Sequence, residues 1–247
     1  MAKRKLQRFA EIENFENVFQ HLQNSEYLGD FKLKGKWNEE YFKNKNPIVL
    51  ELGCGKGEYT VGLAERFPDK NFIGIDIKGA RLWRGSKTAL ENKIQNVAFV
   101  RTRIDHIERI FCNNEISEIW ITFPDPQLQE SKTRKRLTAP VFLDRYKNIL
   151  TPNGIIHLKT DNAAFYGYTL AVITENGCQL IESTHDLYGD KKYSVDLDVG
   201  AEGLLSIKTF YEKKFTEKGF KICYLKFRMM GYKNPLRHKE QIVALNI

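Results

Sequence analysis

Three glycines at positions 53, 55 and 57 follow the apolar run Ile48-Val49-Leu50-Glu51-Leu52 in the spacing G-x-G-x-G. Glycines so spaced let the main chain turn sharply and approach a ligand more closely than any side chain permits. Glu51, near the carboxyl end of that run, can hold a cationic group. Asp76 ends a second apolar run, Asn71-Phe72-Ile73-Gly74-Ile75, where a carboxylate can take both hydroxyls of a ribose. The pair reads as a nucleoside-cofactor site. A dinucleotide usually meets G-x-G-x-x-G, with its pyrophosphate at a helix N-terminus. Here the third glycine comes one residue early and an acid precedes the loop. S-adenosylmethionine, which carries an ammonium and a sulfonium and no phosphate, suits an acid-bearing loop better than NAD does.

A third acid, Asp125, lies between Pro124 and Pro126 just past the run Ile119-Trp120-Ile121-Thr122-Phe123. Ligands of open α/β sheets bind at the carboxyl ends of the strands, so Asp125 is expected to face the same space as Glu51 and Asp76. The two prolines remove amide donors and stiffen the turn, presenting the carboxylate without local competition. Lys132, Arg134, Lys135 and Arg136 follow as a basic strip on the same rim.

The elements that must position these residues alternate. Apolar runs at 48–52, 71–77, 97–101, 119–122 and 154–159 predict buried parallel strands, with helical periodicity between them over 58–67, 80–93 and 141–150. A helix over 163–176 and closing strands over 179–183 and 221–227 follow. Asn153-Gly154 and Asn176-Gly177 read as helix ends ahead of strands. The expected fold is α/β and Rossmann-like, a mostly parallel sheet with helices on both faces, arranged as a basic and aromatic lead over 1–45, one main domain over 46–230 and a basic tail over 231–247. There is no internal repeat.

The chain has 247 residues, 42% of them hydrophobic, enough to bury one full core. No stretch nears the ~18 apolar residues of a membrane helix, and the start lacks the apolar segment of a signal peptide, so a cytoplasmic protein is expected. Cys54, Cys112, Cys178 and Cys223 form no C-x-x-C pair, which points to reduced thiols and no metal. The net charge of +8 is clustered at residues 3–8, 132–136 and 226–239, as a polyanionic partner would require. Monomer and homodimer both stay open.

Taken together, the segments E-L-G-C-G-K-G at 51–57, I-G-I-D at 73–76, T-F-P-D-P at 122–126, K-R-L-T at 135–138, L-K-T-D at 158–161 and T-F-Y-E at 209–212 resemble the tRNA (guanine-N7-)-methyltransferases, which act on guanosine 46 of the variable loop. The resemblance implies a class I S-adenosylmethionine-dependent methyltransferase fold. It implies that Glu51, Gly53, Gly55, Gly57, Asp76 and Asp125 bind cofactor and that Asp125 also sits at the reaction centre. Gln129, Asp161, Thr209, Tyr211 and Glu212 would hold the target guanosine, and Lys132, Arg134, Lys135 and Arg136 the tRNA backbone. The chain departs from the family pattern at Gln127 and Gln129, where tryptophan and lysine are usual, and at Arg103, where an acid is usual; Asp105 then takes the adenine role. The alternatives are a methyltransferase for another RNA or a small molecule, and a silent RNA-binding module on the same fold.

Overall fold

The computed structural model describes residues 2–22, 29–193 and 205–233. The basic tail beyond residue 233, with Arg237 and Lys239, lies outside the described residues.

The eight strands are β1 (Val18–Gln20), β2 (Ile48–Leu52), β3 (Asn71–Asp76), β4 (Val97–Arg101), β5 (Ile116–Thr122), β6 (Leu150–Thr160), β7 (Gln179–Thr184) and β8 (Cys223–Arg228). They form one sheet in the order β1-β4-β3-β2-β5-β6-β8-β7. All neighbours from β1 to β6 are parallel, while β8 runs antiparallel to both β6 and β7. The order reverses between β2 and β5, so a crevice opens at their carboxyl ends, beside the glycine loop and Asp125.

The central strands are predominantly apolar because helices cover both faces. Ile48, Leu50 and Leu52 of β2, with Ile119 and Ile121 of β5, belong to a core shared with α5 (Pro140–Ile149) and α6 (Ala163–Glu175). Val49 and Trp120 belong to a second core with α2 (Glu58–Arg66) and α3 (Gly79–Glu91). Side chains alternate faces along a strand, so Glu51 and Thr122 point to the α2 side with Val49 and Trp120. There Gly57 and Gly85 bring loop and helix into contact. A Cβ on Gly57 would lie 2.6 Å from the Phe99 ring, and one on Gly85 would lie 2.6 Å from the Lys56 carbonyl oxygen.

Two features differ from the expected layout. Residues 2–20 supply helix α1 (Ala2–Ile12) and strand β1, which extends the sheet beside β4; the Trp83 indole donates to Glu11 at 2.7 Å and ties α1 to α3. Asn153-Gly154 does not end a helix. Helix α5 stops at Ile149, and these residues sit inside β6, where the pairing with β5 jumps from Ile116↔Leu150 to Glu118↔Ile155. A glycine-bearing bulge takes up the extra residues. Asn176-Gly177 does end α6, with Gly177 at φ 74°. Among the described residues no helix is long and apolar enough to cross a membrane, and no group of three metal-ligating side chains occurs.

Candidate active site

The glycine loop is held from below by acids on two strands. Glu51 is buried beneath it, accepting the Thr60 N–H at 2.9 Å, the Thr60 hydroxyl, and the Thr122 hydroxyl at 2.6 Å. Thr60 lies in the first turn of α2, where amide donors lack helical partners and negative charge is favoured. Glu51 therefore does for α2 what a capping side chain normally does; Gly57, the residue at that place, has none to offer. Burial pushes the Glu51 carboxyl up to about 7, against the lowering from its hydroxyl and amide partners, and Asp76 nearby adds to the rise. Glu51 thus lies directly beneath the glycine loop, with its two oxygens turned to Thr60 and Thr122. On the next strand, Asp76 accepts the Gly55 N–H at 2.9 Å and the Lys78 N–H at 2.7 Å.

Two clefts meet at Gly53. One, of about 350 Å³, is bounded by Asp76, Thr102, Asp105 and the apolar side chains of Ile77, Ile104, Leu137 and Phe142. Its shape and lining suit a flat purine with its ribose on Asp76. Asp105 is held by Arg103 at 2.8 Å. The other, of about 90 Å³, is bounded by Gly53, Gly55, Lys56, Arg81, Thr122, Phe123, Thr209 and Tyr211. Gly53 has φ 72°, and a Cβ added there would meet nothing within 4 Å. Its missing side chain thus leaves open exactly the passage between the clefts, which is the fit a long nucleoside cofactor with an amino-acid tail requires.

The loop after β5 is held in an unusual backbone. Phe123 and Gln127 have φ 47° and 46°, a region that bulky residues seldom adopt. The Phe123 N–H donates to the Lys159 carbonyl at 2.9 Å, and Arg136 donates to the Gln127 carbonyl at 3.3 Å while covering the Tyr168 ring at 4.2 Å. Asp125 between them is exposed on the rim. It is not free of local competition as the flanking prolines suggest, because the Gln127 N–H, the first donor after Pro126, reaches its Oδ1 at 3.1 Å. Gln129, Lys132, Arg134 and Lys135 are exposed beyond it, while Arg136 is occupied in bracing the loop.

The third wall comes from α7 (Phe210–Glu217). Thr209 caps it: its hydroxyl accepts the Glu212 N–H at 3.1 Å, and Glu212 accepts the Thr209 N–H in return. Glu212 is fully buried and paired with Lys159 at 2.7 Å, and it also accepts the Tyr188 hydroxyl. Both of its carboxylate oxygens are engaged inside the protein. Sequence reading assigned no role to Lys159, although it stands in the quoted segment L-K-T-D as a cation within a largely apolar strand. Tyr211 is 42% exposed at the cleft, its ring parallel to Phe215. Asp161, one residue past β6, is half-buried, burial raises its carboxyl above the ordinary range, and no side chain among the described residues pairs with it.

Sheet order, glycine loop and strand-end acids define a class I S-adenosylmethionine-dependent methyltransferase. A solved 16S rRNA methyltransferase, KamB, shares the fold at TM-score 0.55 and 13% identity, over 78% of this chain and 90% of that one. The family model described as "Putative methyltransferase" matches residues 45–225. The chain is 54% identical to a tRNA (guanine-N(7)-)-methyltransferase of Christiangramia forsetii over 92% of its own length and 99% of that relative's. It is 49% identical to one of Bacteroides fragilis over 100% and 93%. This chain belongs to the tRNA (guanine-N7-)-methyltransferase family.

Proposed function

We propose that the chain methylates N7 of guanosine 46 in the variable loop of tRNA, in the cytoplasm. The observation that carries the reading is the junction at Gly53, where an apolar nucleoside cleft opens into a second cleft walled by Thr122, Thr209 and Tyr211. S-adenosylmethionine, held by the glycine loop and Asp76, supplies an electrophilic methyl group. Guanine N7 has an in-plane lone pair and no proton, so the protein needs no general base, only alignment and exclusion of water. Tyr211 offers a half-exposed ring on which a base drawn out of its stack can lie. Guanine presents two adjacent donors, N1–H and N2–H, where adenine has an acceptor at N1, and Asp161, whose carboxylate has no side-chain partner among the described residues, accepts both in this reading. Asp125, exposed just past β5, supplies the negative charge that stabilises the purine as it becomes cationic. The test is methyl transfer from labelled donor to unmodified tRNA, with digestion to nucleosides. Label in 7-methylguanosine, lost when position 46 is adenosine, is the expected result; label retained in that transcript would move the target elsewhere.

Two predictions concern the cofactor. Asp76→Ala is expected to weaken S-adenosylmethionine binding by about 1.5–3 kcal/mol, the scale of a charged hydrogen bond. Calorimetric titration is the check, and unchanged affinity would remove Asp76 from the ribose. Glu51 predicts a pH dependence. With its pKa held near 7, the buried acid is largely protonated at pH 6 in the free protein. A cationic ligand above it favours the carboxylate, so binding releases protons and tightens as pH rises from 6 to 8. Titrations at pH 6.5 in buffers of different ionisation enthalpy measure this release, and Glu51→Gln should abolish it; a wild-type heat independent of buffer would contradict the assignment. The same shift makes folding less favourable as pH climbs from the ordinary carboxylate range towards 7, because the unfolded chain ionises first.

A further inference from the structure

Beside the second cleft lies a groove of about 420 Å³ on the α2–α3 face, lined by Lys56, Arg84, Lys208 and Lys213 together with Phe210. The four cations come from three separate places in the chain: the glycine loop, α3, and the start and first turn of α7. All four are exposed, and none forms an ion pair with an acid among the described residues. Two acids also line the groove, but Glu58 accepts the Phe210 N–H at 2.8 Å and Glu65 accepts from the Asn92 side chain at 3.2 Å. Lys56 lies over the Phe210 ring at 4.0 Å and Lys208 over Tyr188 at 4.3 Å, so both ammonium groups are stationed rather than adrift in solvent. Lys56 and Glu58 line this groove and the methyl-transfer cleft alike, which makes the two continuous.

We infer that this groove binds the sugar-phosphate backbone of the RNA strand adjoining the target guanosine. The inference rests on the tRNA reading and extends it by a surface. The strip Lys132–Lys135 precedes α5 and belongs to the opposite face of the sheet from α2 and α3. Between them lie the strand ends with Asp125 and Asp161, and α7 with Tyr211. The RNA therefore crosses the carboxyl edge of the sheet, held by phosphate contacts on either side, with the guanosine turned down between them. Phe210, half exposed at the mouth of the groove, gives the neighbouring base a ring to rest on. A single basic strip would fix one side of the target only, whereas two set its register.

The experiment compares wild type, Arg84→Ala/Lys213→Ala and Lys132→Ala/Lys135→Ala, all at exposed positions where the fold does not depend on the side chain. Binding of unmodified tRNA is measured against salt concentration, and S-adenosylmethionine affinity is measured in parallel. Each released phosphate contact lowers the log–log salt slope by about 0.7–0.9. The groove variant is therefore expected to lose about 1.4–1.8 from the slope and roughly tenfold in affinity at low salt, with cofactor affinity within about twofold of wild type. The losses of the two double variants should add when combined, since they touch different phosphates. Unchanged slope and affinity in the groove variant would overturn the inference, as would an equal loss of cofactor affinity, which would assign these cations to the methionine carboxylate. Wild-type protein that bound tRNA but did not methylate it would defeat the functional reading while leaving the groove testable by binding; wild-type protein that bound no tRNA would defeat both.

Discussion

Asp125→Asn is expected to lower the single-turnover rate of methyl transfer by about 10²–10³-fold at saturating S-adenosylmethionine, with tRNA binding little changed, the size seen when one preorganised electrostatic partner is removed. The substitution separates charge from shape unusually well at this position. Asparagine keeps a side-chain oxygen to accept the Gln127 N–H that now reaches Asp125 at 3.1 Å, so the turn survives. The left-handed Phe123 and Gln127 stay anchored by the Lys159 carbonyl and by Arg136, neither of which touches the substituted group. What disappears is the negative charge that favours the purine as it gains positive charge. A rate within a few-fold of wild type would reduce Asp125 to a turn residue. A loss rescued by excess cofactor would instead make it part of the cofactor site.

Lys159→Met is expected to cost about 3–5 kcal/mol of unfolding free energy, because it leaves the Glu212 carboxylate buried without its cation. Both side chains are fully buried, 2.7 Å apart, and burial lowers the Lys159 ammonium below its ordinary range while Glu212 opposes that shift. The double variant Lys159→Met/Glu212→Gln removes both charges, keeps one oxygen to accept the Thr209 N–H and turns an amide donor toward the Tyr188 hydroxyl oxygen. It should recover most of the loss. Urea unfolding of the four proteins completes the cycle. A single variant that loses less than about 1 kcal/mol, with no recovery in the double, would show that the pair contributes little to holding α7 on the sheet.

The strands and helices of the central domain were legible because each is a local pattern: an apolar run of five or six residues bounded by turn residues, or an apolar stripe at helical spacing. The acids at strand ends were legible for the same reason, since a single carboxylate after an apolar run stands out. What the sequence concealed depends on contacts between distant segments. That Thr60 and Thr122 enclose Glu51 from a helix and another strand is one such contact. Glu212 stands out in T-F-Y-E, but its burial against Lys159 of β6 joins a helix to a strand more than fifty residues away and leaves no local trace. Residues 18–20 are too short to announce a strand, and they become one only because β4 offers an open edge. The groove cations are 28, 124 and 5 positions apart along the chain, so no local cluster marked them as the strip at 132–136 was marked.

The mutual contact of Gly57 and Gly85 also shapes how the site can vary. A Cβ on Gly57 runs into the Phe99 ring, and one on Gly85 into the Lys56 carbonyl and the Gly57 backbone. Every single-base change in a glycine codon that replaces glycine with another amino acid introduces a Cβ. Neither position therefore has a neutral amino-acid replacement one base away, and neither can be relieved by changing the other, since each obstacle is backbone or a ring at the centre of β4. The side chains of Lys56 and Arg84 face outward and are free of that constraint. The cofactor loop is thus tolerant of change in front and intolerant of it behind.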